Sequence, residues 1–473
     1  MLTLADMIEA LTGVHLPQAA QTPITDAVLD SRKVIPGCLF LAIPGRQTDG
    51  HDYIPDAFER GAAYALIEHE VPAHLTVVDL RTPAWVTQAE KLAAPCCLRV
   101  ENTIQALQTI ARFWRSQQAD VRVVGITGSV GKSTTKEIVA GVLSGRYRTL
   151  KNEGNFNNEV GLPLTVLRLS EGHQRAVLEM GFYVPGEIAF LCDIARPHIG
   201  VVTNIGTVHA ERAGSQEAIF EGKSELVQAL PPDGFAILNH DDPWVRKMAE
   251  RTAAQVFTYG LTPEADLWAD SIEGLGLEGI RFRLHYQTDT IYLHVPLIGR
   301  HSVHTALRAV AVGLVDGLTW QEIVTGLRVG HAQLRLVAVR TQRGALLLDD
   351  TYNASPASTL AALNLLEELN GFKVAVLGDM LELGPYEKQG HEMVGIRAAE
   401  VAGKLVTVGP RAHLIAQAAH SAGMPRRNIH EVDDTAQAIA LLQHTITPQD
   451  VILIKGSRSM HMEEIVNALE AAA

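Results

Sequence analysis

A glycine-rich stretch at residues 125–137, GITGSVGKSTTKE, carries the clearest chemical signal in the sequence. It follows the apolar run VRVVGIT and precedes a helical pattern, which is the strand–loop–helix context of a phosphate-binding loop. Backbone amides of such a loop face phosphate oxygens, Lys132 would neutralise the outer phosphates, and the Ser133 hydroxyl would bind Mg²⁺. The usual spacing needs a glycine where Ile126 stands, so we predict a phosphate loop shorter than most.

Polar residues at other predicted strand ends are candidates for the same site. Glu179 ends the run AVLEM, where a carboxylate suits a magnesium ion, although a solvent-facing glutamate is the alternative. His209, in TNIGTVHAE, is a candidate for binding a second metal ion or orienting a nucleophile, with a structural histidine as the alternative. Lys223, in FEGKSEL, is on spacing alone more typical of a solvated helix lysine. The guanine-reading Asn-Lys-x-Asp of GTPases is absent from the sequence.

Alternating strand and helix patterns must position these residues. The strand patterns AVLEM, IGVVTN and FAILN alternate with helices after the loop, which predicts a parallel, helix-covered sheet. Residues 266–296 show strand patterns without a helix and predict a small antiparallel appendage. Beyond residue 329, ALLLDDTY, KVAVLGD, KLVTVG and DVILIKG predict a doubly wound sheet with ligands beyond its carboxyl edge. The helical segments between them lie near 356–369, 387–402, 411–421, 434–444 and 461–470.

These patterns predict an α/β protein of three domains. Residues 1–97 contain the strand patterns LFLAI, YALIE and LTVVDL and the helix IPDAFERGA, which indicate a small N-terminal α/β domain. Residues 98–329 are predicted to form a central domain with a P-loop ATPase-like parallel sheet, and residues 330–473 a C-terminal, Rossmann-like domain. A chain of 473 residues is long enough for two to four domains, each with its own core.

Composition and charge argue against several classes of protein. A hydrophobic content of 47% and a charged content of 20% are ordinary for a globular enzyme, and a net charge of −13 without a long basic run argues against nucleic acid as a partner. No uninterrupted apolar run approaches the length of a membrane span, and MLTLADMIEALTG is more typical of a capped helix than of a signal peptide. Four cysteines without C-x-x-C spacing fit the reduced thiols of a cytoplasmic protein: Cys38, Cys96, Cys97 and Cys192.

Taken together, the motifs resemble the Mur ligase family of peptidoglycan biosynthesis. The short family loop T-G-x-x-G-K-[ST] is matched by residues 127–133, and GNFNNEVGLP, EMG, TNIGTVHAE and LNHDDP resemble other segments of its central domain. LDSRKVIPGCLFLAIPG and TDGHDY resemble the domain that holds the UDP sugar. DDTYNASP, VLGDMLELG and KGSRSM resemble the third domain of the members that add D-alanyl-D-alanine. The resemblance covers nearly the whole chain, with its motifs in order.

The sequence departs from the family pattern in three places. HSVHT stands where His-Asn-x-x-Asn is usual, so Ser302 and Thr305 replace two amides on the adenine side. Leu334-Arg335 replaces the usual Gly-Arg, and Ser355 replaces the second Asn of YNANP. These departures concern the adenine and third-domain contacts and leave the phosphate loop unchanged.

The resemblance implies an ATP-dependent amide ligase that joins D-Ala-D-Ala to UDP-N-acetylmuramoyl-tripeptide through an acyl phosphate. It implies ATP and two Mg²⁺ ions as cofactors, because the enzyme must hold anions together and stabilise developing charge. Lys132, His209 and Lys223 are the implied catalytic residues, and Ser133, Glu179 and His209 the implied metal ligands. Lys223 matches a position where several Mur ligases carry a carbamylated lysine.

Binding residues are carried over by the same resemblance. The implied ATP contacts are Thr127, Gly128, Ser129, Val130, Gly131, Lys132, Ser133, Thr134, Asn239, His301, Arg335 and Asp350. The implied substrate contacts are Ser31, Arg32, Asp49, Gly50, Asn157, Asn158, Tyr352, Asn353, Lys455, Ser457 and Arg458. Structural salt bridges at a domain interface are the alternative for the third-domain residues. We expect a cytoplasmic monomer whose domains close around the substrates.

Two other functions stay open at this stage. One is a sister ligase that adds a single amino acid to a UDP-muramoyl peptide, or glutamate to folate. The Asp-Asn-Pro-Arg motif of the diaminopimelate-adding sister is absent from the third domain, where DDTYNASP stands in a comparable position. The other is a P-loop protein that binds or hydrolyses ATP without ligating.

Overall fold

Three β-sheets flanked by helices organise the computed structural model, which describes residues 1–19, 22–45, 48–206, 210–329 and 337–470. The predicted α/β class is confirmed, because nearly all strand pairs in the three sheets are parallel and are linked through helices. Short 3₁₀ helices lie between these elements at Pro17–Ala19, Ser31–Lys33, Gly50–Tyr53, Pro83–Leu92, Met248–Arg251, Gly276–Glu278, Arg300–Ser302, Gly384–Tyr386, Arg426–Asn428 and Arg458–Met460.

The first sheet is small and entirely parallel, with the order β1-β2-β3-β5-β4. Its strands are β1 (Ala27–Val28), β2 (Leu39–Leu41), β3 (Tyr64–Ile67), β4 (Val77–Asp79) and β5 (Cys96–Arg99). Two helices accompany it, α1 (Leu4–Thr12) and α2 (Ile54–Glu59). The expected capped helix at the start is confirmed: the Thr3 side chain accepts from the Asp6 amide, and the Asp6 carboxylate accepts from the Thr3 amide.

The central sheet has nine strands in the order β14-β13-β12-β11-β10-β9-β6-β8-β7. These are β6 (Arg122–Thr127), β7 (Thr149–Lys151), β8 (Arg175–Glu179), β9 (Ile199–Val202), β10 (Phe235–Asn239), β11 (Gln255–Gly260), β12 (Leu267–Gly274), β13 (Ile280–Tyr286) and β14 (Asp289–Val295). Strands β12 to β14 pair antiparallel, which confirms the predicted appendage at residues 266–296. It continues the parallel sheet through β11 rather than forming a separate one.

Helices cover both faces of the central sheet. They are α3 (Thr103–Gln117), α4 (Lys132–Ser144), α5 (Gly161–Leu167), α6 (Glu187–Ala195), α7 (Ala210–Ala213), α8 (Gln216–Gln228), α9 (Pro243–Lys247), α10 (Val303–Val315) and α11 (Trp320–Val329). Strand residues alternate between two cores, so that Leu178 packs on one face and Val177 on the other. Helices α4 and α10 belong to the same face, and this brings α10 beside the phosphate loop.

The third sheet has the order β15-β16-β20-β17-β18-β19, and only β15 runs antiparallel to its neighbour. Its strands are β15 (Val337–Arg340), β16 (Leu346–Asp349), β17 (Phe372–Gly378), β18 (Lys404–Val408), β19 (Ile429–Val432) and β20 (Asp450–Lys455). Its helices are α12 (Pro356–Glu368), α13 (Glu387–Val401), α14 (His413–Ser421), α15 (Thr435–Thr445) and α16 (Glu463–Leu469). Separate cores on the two faces confirm the doubly wound arrangement.

The domain boundaries at residues 97/98 and 329/330 stay predictions, although the three sheets span residues 27–99, 122–295 and 337–455. Across the part of the chain that the structure describes, no helix combines the length and apolar character needed to cross a membrane.

Candidate functional site

A cleft of about 370 Å³ lies between the phosphate loop, helix α10 and the carboxyl edge of the third sheet. Its polar and charged lining comes from all three: Ser129, Lys132, Ser133, Thr134, Thr203, Asn204, Asn239, His301, Ser302, His304, Thr305, Arg308, Asp350, Tyr352, Asn353, Ser355, Ser358 and Lys455. The carboxyl ends of β6, β9, β10, β16 and β20 therefore converge on one cavity, which is where open α/β sheets bind ligands.

The phosphate loop occupies the turn between β6 and α4, and its two glycines explain the unusual spacing. Gly128 has φ 141° and lies so close to Thr203 that a β-carbon would be 1.8 Å from the Thr203 Oγ. Gly131 has φ 86° and stands immediately before the first residue of α4. Ile126 is a fully buried residue of β6. A glycine is therefore needed where the loop leaves the strand, two residues after Ile126.

Two residues at the end of β9 hold the loop, and the sequence did not single them out as site residues. The Asn204 side chain accepts a hydrogen bond from the Val130 amide at 3.0 Å and donates to the Val130 carbonyl at 3.0 Å. The Thr203 hydroxyl donates to the same carbonyl at 2.7 Å. Both residues directly follow a strand of the sheet that carries the phosphate loop, and this position could have identified them as site residues from the sequence.

Two lysine side chains converge on one carbonyl of the loop. Lys132 Nζ donates to the Gly128 oxygen at 2.8 Å, and Lys223 Nζ donates to the same oxygen at 3.1 Å. Lys223 is completely buried in α8, and its amine lies 4.6 Å from the centre of the Phe182 ring. Burial, followed by the charge of Lys132, lowers the pKa of Lys223 well below its usual value, although Glu187 acts in the opposite direction. Lys223 is therefore not the solvated helix lysine that its spacing suggests.

Ser133 and Glu179 present two oxygen atoms beside the loop. The Ser133 hydroxyl donates to Glu179 Oε2 at 2.6 Å, and Asn157 Nδ2 donates to Glu179 Oε1 at 2.9 Å. The Asn152 side chain bonds both backbone groups of Glu179, each at 3.0 Å. Glu179 is 1% exposed, so its carboxylate is not the solvent-facing alternative. Adjacent hydroxyl and carboxylate oxygens are the donor set that Mg²⁺ prefers.

Other loop-side candidates have structural partners. The Thr127 hydroxyl is buried and donates to the Met180 carbonyl at 3.1 Å. The Asn158 side chain accepts from the Gly161 amide at 2.8 Å, at the start of α5, and does not line the cleft. The predicted residues His209 and Arg335 lie outside the described residues, so their roles stay predictions.

The end of the cleft near α10 contains the substitutions noted in the sequence. The Ser302 hydroxyl donates to the Ile298 carbonyl at 2.7 Å, and the Thr305 hydroxyl accepts from Arg308 at 2.9 Å. His301 is exposed, yet desolvation by the surrounding walls, followed by the charge of His304, lowers its pKa to about 4.

On the same side, Asn239 ends β10 and is tied into the strand ends. Its side-chain amide donates to the Thr203 carbonyl at 3.1 Å, and its oxygen accepts from the Asp241 amide at 3.1 Å. Asp241 in turn lies 2.7 Å from His304 Nε2 on α10. Asn239 thus lines the cleft from a fixed position.

The opposite wall is formed by the third sheet. Lys455 is 2% exposed and pairs with Asp350 at 2.6 Å, and its amine also donates to the Asn353 carbonyl at 2.9 Å. Asp350, a predicted ATP contact, and Lys455, a predicted substrate contact, therefore neutralise each other's charge. Ser355 caps α12 by accepting from the Ser358 amide, which a serine does as well as the asparagine usual in the family.

Three further third-domain candidates lie next to this wall. Tyr352 lines the cleft, and the Arg458 guanidinium lies 5.4 Å from the centre of its ring. The Ser457 hydroxyl accepts from the Leu381 amide at 2.8 Å. Ser457 and Arg458 are not among the described residues that line the cleft.

The candidates in the first sheet's region form a separate cluster. Ser31 and Arg32 begin a 3₁₀ helix capped by Asp30, and Arg32 pairs with Asp30 at 2.8 Å. Asp49 accepts from the His51 amide at 2.9 Å, and Gly50 packs so closely on Ile43 that a β-carbon would lie 2.6 Å from its nitrogen. None of the four predicted contacts lines the cleft described above.

Asp49, His51 and His69 place three potential metal-ligating atoms within 4.8 Å of one another. However, His51 Nε2 accepts from the Glu68 amide at 3.0 Å, so its proton is on Nδ1 and faces Asp49 at 2.7 Å. This hydrogen bonding explains the cluster without a metal ion.

Comparisons with family models match successive parts of the chain. Residues 24–115 match the Mur ligase family catalytic domain, residues 126–313 the Mur ligase middle domain, and residues 334–458 the Mur ligase glutamate ligase domain. These matches cover the first sheet, the phosphate-loop sheet and the third sheet in order.

Individual relatives match over their whole length. The chain is 36% identical to UDP-N-acetylmuramoyl-tripeptide--D-alanyl-D-alanine ligase of Bacillus subtilis (strain 168), over 99% of this chain and 98% of that protein. Identity to the ligase of the same name from Escherichia coli (strain K12) is 35%, with the same coverage. A crystal structure of MurF from Acinetobacter baumannii has a TM-score of 0.82 at 32% identity, over 98% of this chain and 97% of that one. The chain belongs to the Mur ligase family.

Proposed function

We propose that this protein is an ATP-dependent ligase that joins D-alanyl-D-alanine to UDP-N-acetylmuramoyl-tripeptide. The observation that carries the proposal is the cleft in which a phosphate loop and an adjoining oxygen pair face the third-domain wall. The chain is 36% and 35% identical to two ligases of this name over almost their full lengths, which supports the same substrates. The predicted resemblance to the Mur ligase family and the predicted class, an ATP-dependent ligase, are confirmed.

The reaction needs ATP because a carboxylate does not react with an amine at a useful rate. A carboxylate oxygen of the tripeptide attacks the γ-phosphorus, the bond to the bridging oxygen breaks, and ADP leaves. The amine of D-Ala-D-Ala then attacks the acyl carbon, phosphate leaves with the bond pair, and the amine proton is released. The protein contributes position and charge to both steps.

ATP is proposed to bind with its outer phosphates at the loop and its nucleoside towards α10. The MurF ligase of Thermotoga maritima was solved in complex with ADP, and this chain is 28% identical to it with a TM-score of 0.76. The structural match covers 94% of this chain and 96% of the Thermotoga maritima chain. Lys132 would leave the Gly128 carbonyl, 2.8 Å from its amine, to pair with a phosphate. Asn239, His301 and Asp350 remain proposed contacts.

The oxygen pair of Ser133 and Glu179 fits Mg²⁺, since both ligands are hard oxygen donors that already meet at 2.6 Å. A bound Mg²⁺ would neutralise charge that develops on the phosphate oxygens. Asn157 and Asn152 hold the carboxylate of Glu179 and its backbone in place. A second ion near His209 is proposed from the family resemblance alone.

Lys223 is proposed to act as a carbamate. A neutral amine can add CO₂ with loss of one proton, which converts the neutral side chain beside Lys132 into an anion. The buried position of Lys223 and its lowered pKa support this proposal, because both favour the neutral amine.

The substrate residues are proposed in two groups. In the first domain, the UDP portion would contact Ser31, Arg32, Asp49 and Gly50. Nearer the cleft, the peptide and dipeptide would contact Asn157, Asn158, Tyr352, Asn353, Lys455, Ser457 and Arg458. A monomer of three domains divided at 97/98 and 329/330 completes the proposal.

The decisive experiment supplies UDP-N-acetylmuramoyl-tripeptide, D-Ala-D-Ala, ATP and Mg²⁺ and follows ADP release and product mass together. We expect one ADP per new amide. Lys132→Ala should lower the turnover to below about 1% of wild type, since removing a transition-state charge contact costs 10²–10³-fold. The control is Lys388→Ala, whose side chain is 77% exposed on α13.

ADP release without a new amide would support a non-ligating ATPase and refute the proposal. Ligation of a single amino acid instead of the dipeptide would support a sister ligase. Lys132→Ala with more than a few per cent of wild-type turnover would contradict the loop assignment.

A further inference from the structure

Arg308 is a buried charged residue that the proposed reaction leaves without a role. It lies on α10 and is 5% exposed. Its Nε donates to the His304 carbonyl at 2.9 Å, and its Nη2 donates to the Thr305 hydroxyl at 2.9 Å. Its Nη1 is buried and has no hydrogen-bond partner among the described residues.

The guanidinium lies directly against the phosphate loop. A β-carbon on Gly131 would be 3.4 Å from Nη1 and 3.6 Å from Nη2, and Arg308 is one of the residues that line the cleft. It therefore stands between the loop and the 3₁₀ helix that precedes α10, which carries His301 and Ser302. In the binding mode proposed above, the phosphate nearest the ribose would span this interval.

No carboxylate balances this charge in the described part of the chain. The described ion pairs do not include Arg308, and its guanidinium carbon lies 5.9 Å from the centre of the Tyr259 ring. Burial lowers the pKa of Arg308, but an arginine stays charged in proteins. A buried charge with an unsatisfied donor is costly, so such groups are paired in native structures.

We propose that Arg308 binds a phosphate oxygen of the bound nucleotide, on the adenosine side of the phosphate loop. Arginine suits this role because its guanidinium makes strong, charge-assisted bonds to phosphate. Because Nη1 is enclosed, the contact requires a small shift of the side chain past Gly131, which has no side chain to obstruct it. The proposal rests on ATP binding, which is part of the proposed function.

The test compares the binding of ADP and adenosine to wild type and to Arg308→Met, with ADP measured by calorimetry and adenosine by NMR titration. Arg308→Met should raise the Kd for ADP about tenfold or more, as expected for the loss of a charged hydrogen bond. Adenosine has no phosphate, so its Kd should stay within about twofold. Arg283→Met on β13 is the control and should leave both values unchanged, and circular dichroism checks folding.

Equal weakening of ADP and adenosine would identify a purely structural arginine and overturn the proposal. So would an unchanged ADP affinity in folded Arg308→Met. If that variant does not fold, Arg308→Gln is used instead. It should raise the Kd for ADP about fivefold and leave the Kd for adenosine unchanged. ADP affinity within about twofold of wild type in Arg308→Gln would then overturn the proposal. A wild type that binds no ADP would instead refute the nucleotide part of the proposed function.

Discussion

The chemistry of the site at the residue scale depends on which groups share a partner. The Gly128 carbonyl accepts from both Lys132 and Lys223, at 2.8 and 3.1 Å. Two ammonium groups on one oxygen repel each other, and only Lys132 lines the cleft, where a phosphate can bind it. Lys223 is enclosed, and burial and the charge of Lys132 lower its pKa well below the usual value. The two lysines are thus suited to different roles, one as a cation and the other as a neutral amine.

This difference predicts a pH-dependent stability. With its folded-state pKa lowered and its unfolded-state pKa near 10.4, Lys223 binds a proton more readily in the unfolded chain. Between these values the free energy of unfolding of wild type rises with pH, by at most about 1.4 kcal/mol per unit. Relative to Lys223→Met, wild type should therefore gain stability from pH 7 to pH 9.

Denaturant unfolding of both proteins in CO₂-depleted buffer measures this difference, and Lys388→Met is the exposed control. A difference between wild type and Lys223→Met that does not vary with pH would mean that Lys223 is charged in the folded protein, and would contradict the prediction.

At the scale of elements, the end of β6 and the start of α4 form one unit with the end of β9. Gly128 approaches Thr203 closely, and Asn204 holds Val130 by two hydrogen bonds at 3.0 Å. The loop is therefore shaped from outside as well as by its own glycines. Because β6 and β9 are neighbours in the sheet, this support is built into the strand order.

Gly128→Ala should disrupt the loop, because a β-carbon would lie 1.8 Å from Thr203 Oγ and 3.0 Å from the Thr203 backbone nitrogen. We expect ADP binding to weaken about tenfold or more, as overpacking at this contact forces the loop away. Calorimetric titration with ADP measures the effect. Gly13→Ala is the matched control, since Gly13 has φ 73° with nothing within 4 Å of a β-carbon. An ADP affinity equal to that of wild type in Gly128→Ala would contradict this prediction, because it would show that the loop accommodates the β-carbon.

On the scale of the whole molecule, the cleft exists only because the central and third sheets face each other. Helix α7 contacts the third domain where the Glu211 amide donates to the Glu382 carbonyl at 3.4 Å and Arg212 pairs with Glu382 at 3.5 Å. Gly384 packs against Glu211 so closely that a β-carbon would lie 2.8 Å from its α-carbon. On the other side, Arg168 joins the central domain to Asp26 through two bonds of 3.0 Å.

Nucleotide binding should therefore protect both walls of the cleft from hydrogen exchange. We expect ADP to slow amide exchange in residues 129–134 and also in residues 350–361, because both segments line the cleft. Exchange followed by mass spectrometry measures this, with the antiparallel strands at residues 280–295 as the internal control. Protection confined to residues 129–134 would place the nucleotide on the central domain alone.

Much of the fold and the phosphate loop was predictable because the signals are local. A strand, a glycine loop and a helix follow one another within residues 122–144, and the five predicted helices of the third domain begin and end within two residues of the observed ones. Short strands such as β1 (Ala27–Val28) escaped prediction, since a two-residue strand exists only through its partner. The family resemblance could also be recognised from the sequence alone, because it depends on short motifs and on their order along the chain.

Only the tertiary structure decided which of the candidate side chains meet. Helical spacing could not reveal that α8 buries Lys223 against Gly128, 95 positions earlier in the chain. Nor could it reveal that Asp350 and Lys455 neutralise each other, or that Arg308 lies against Gly131. Motifs record local backbone geometry and residue chemistry, whereas burial, charge pairing and pKa depend on neighbours that the packing of distant segments brings together.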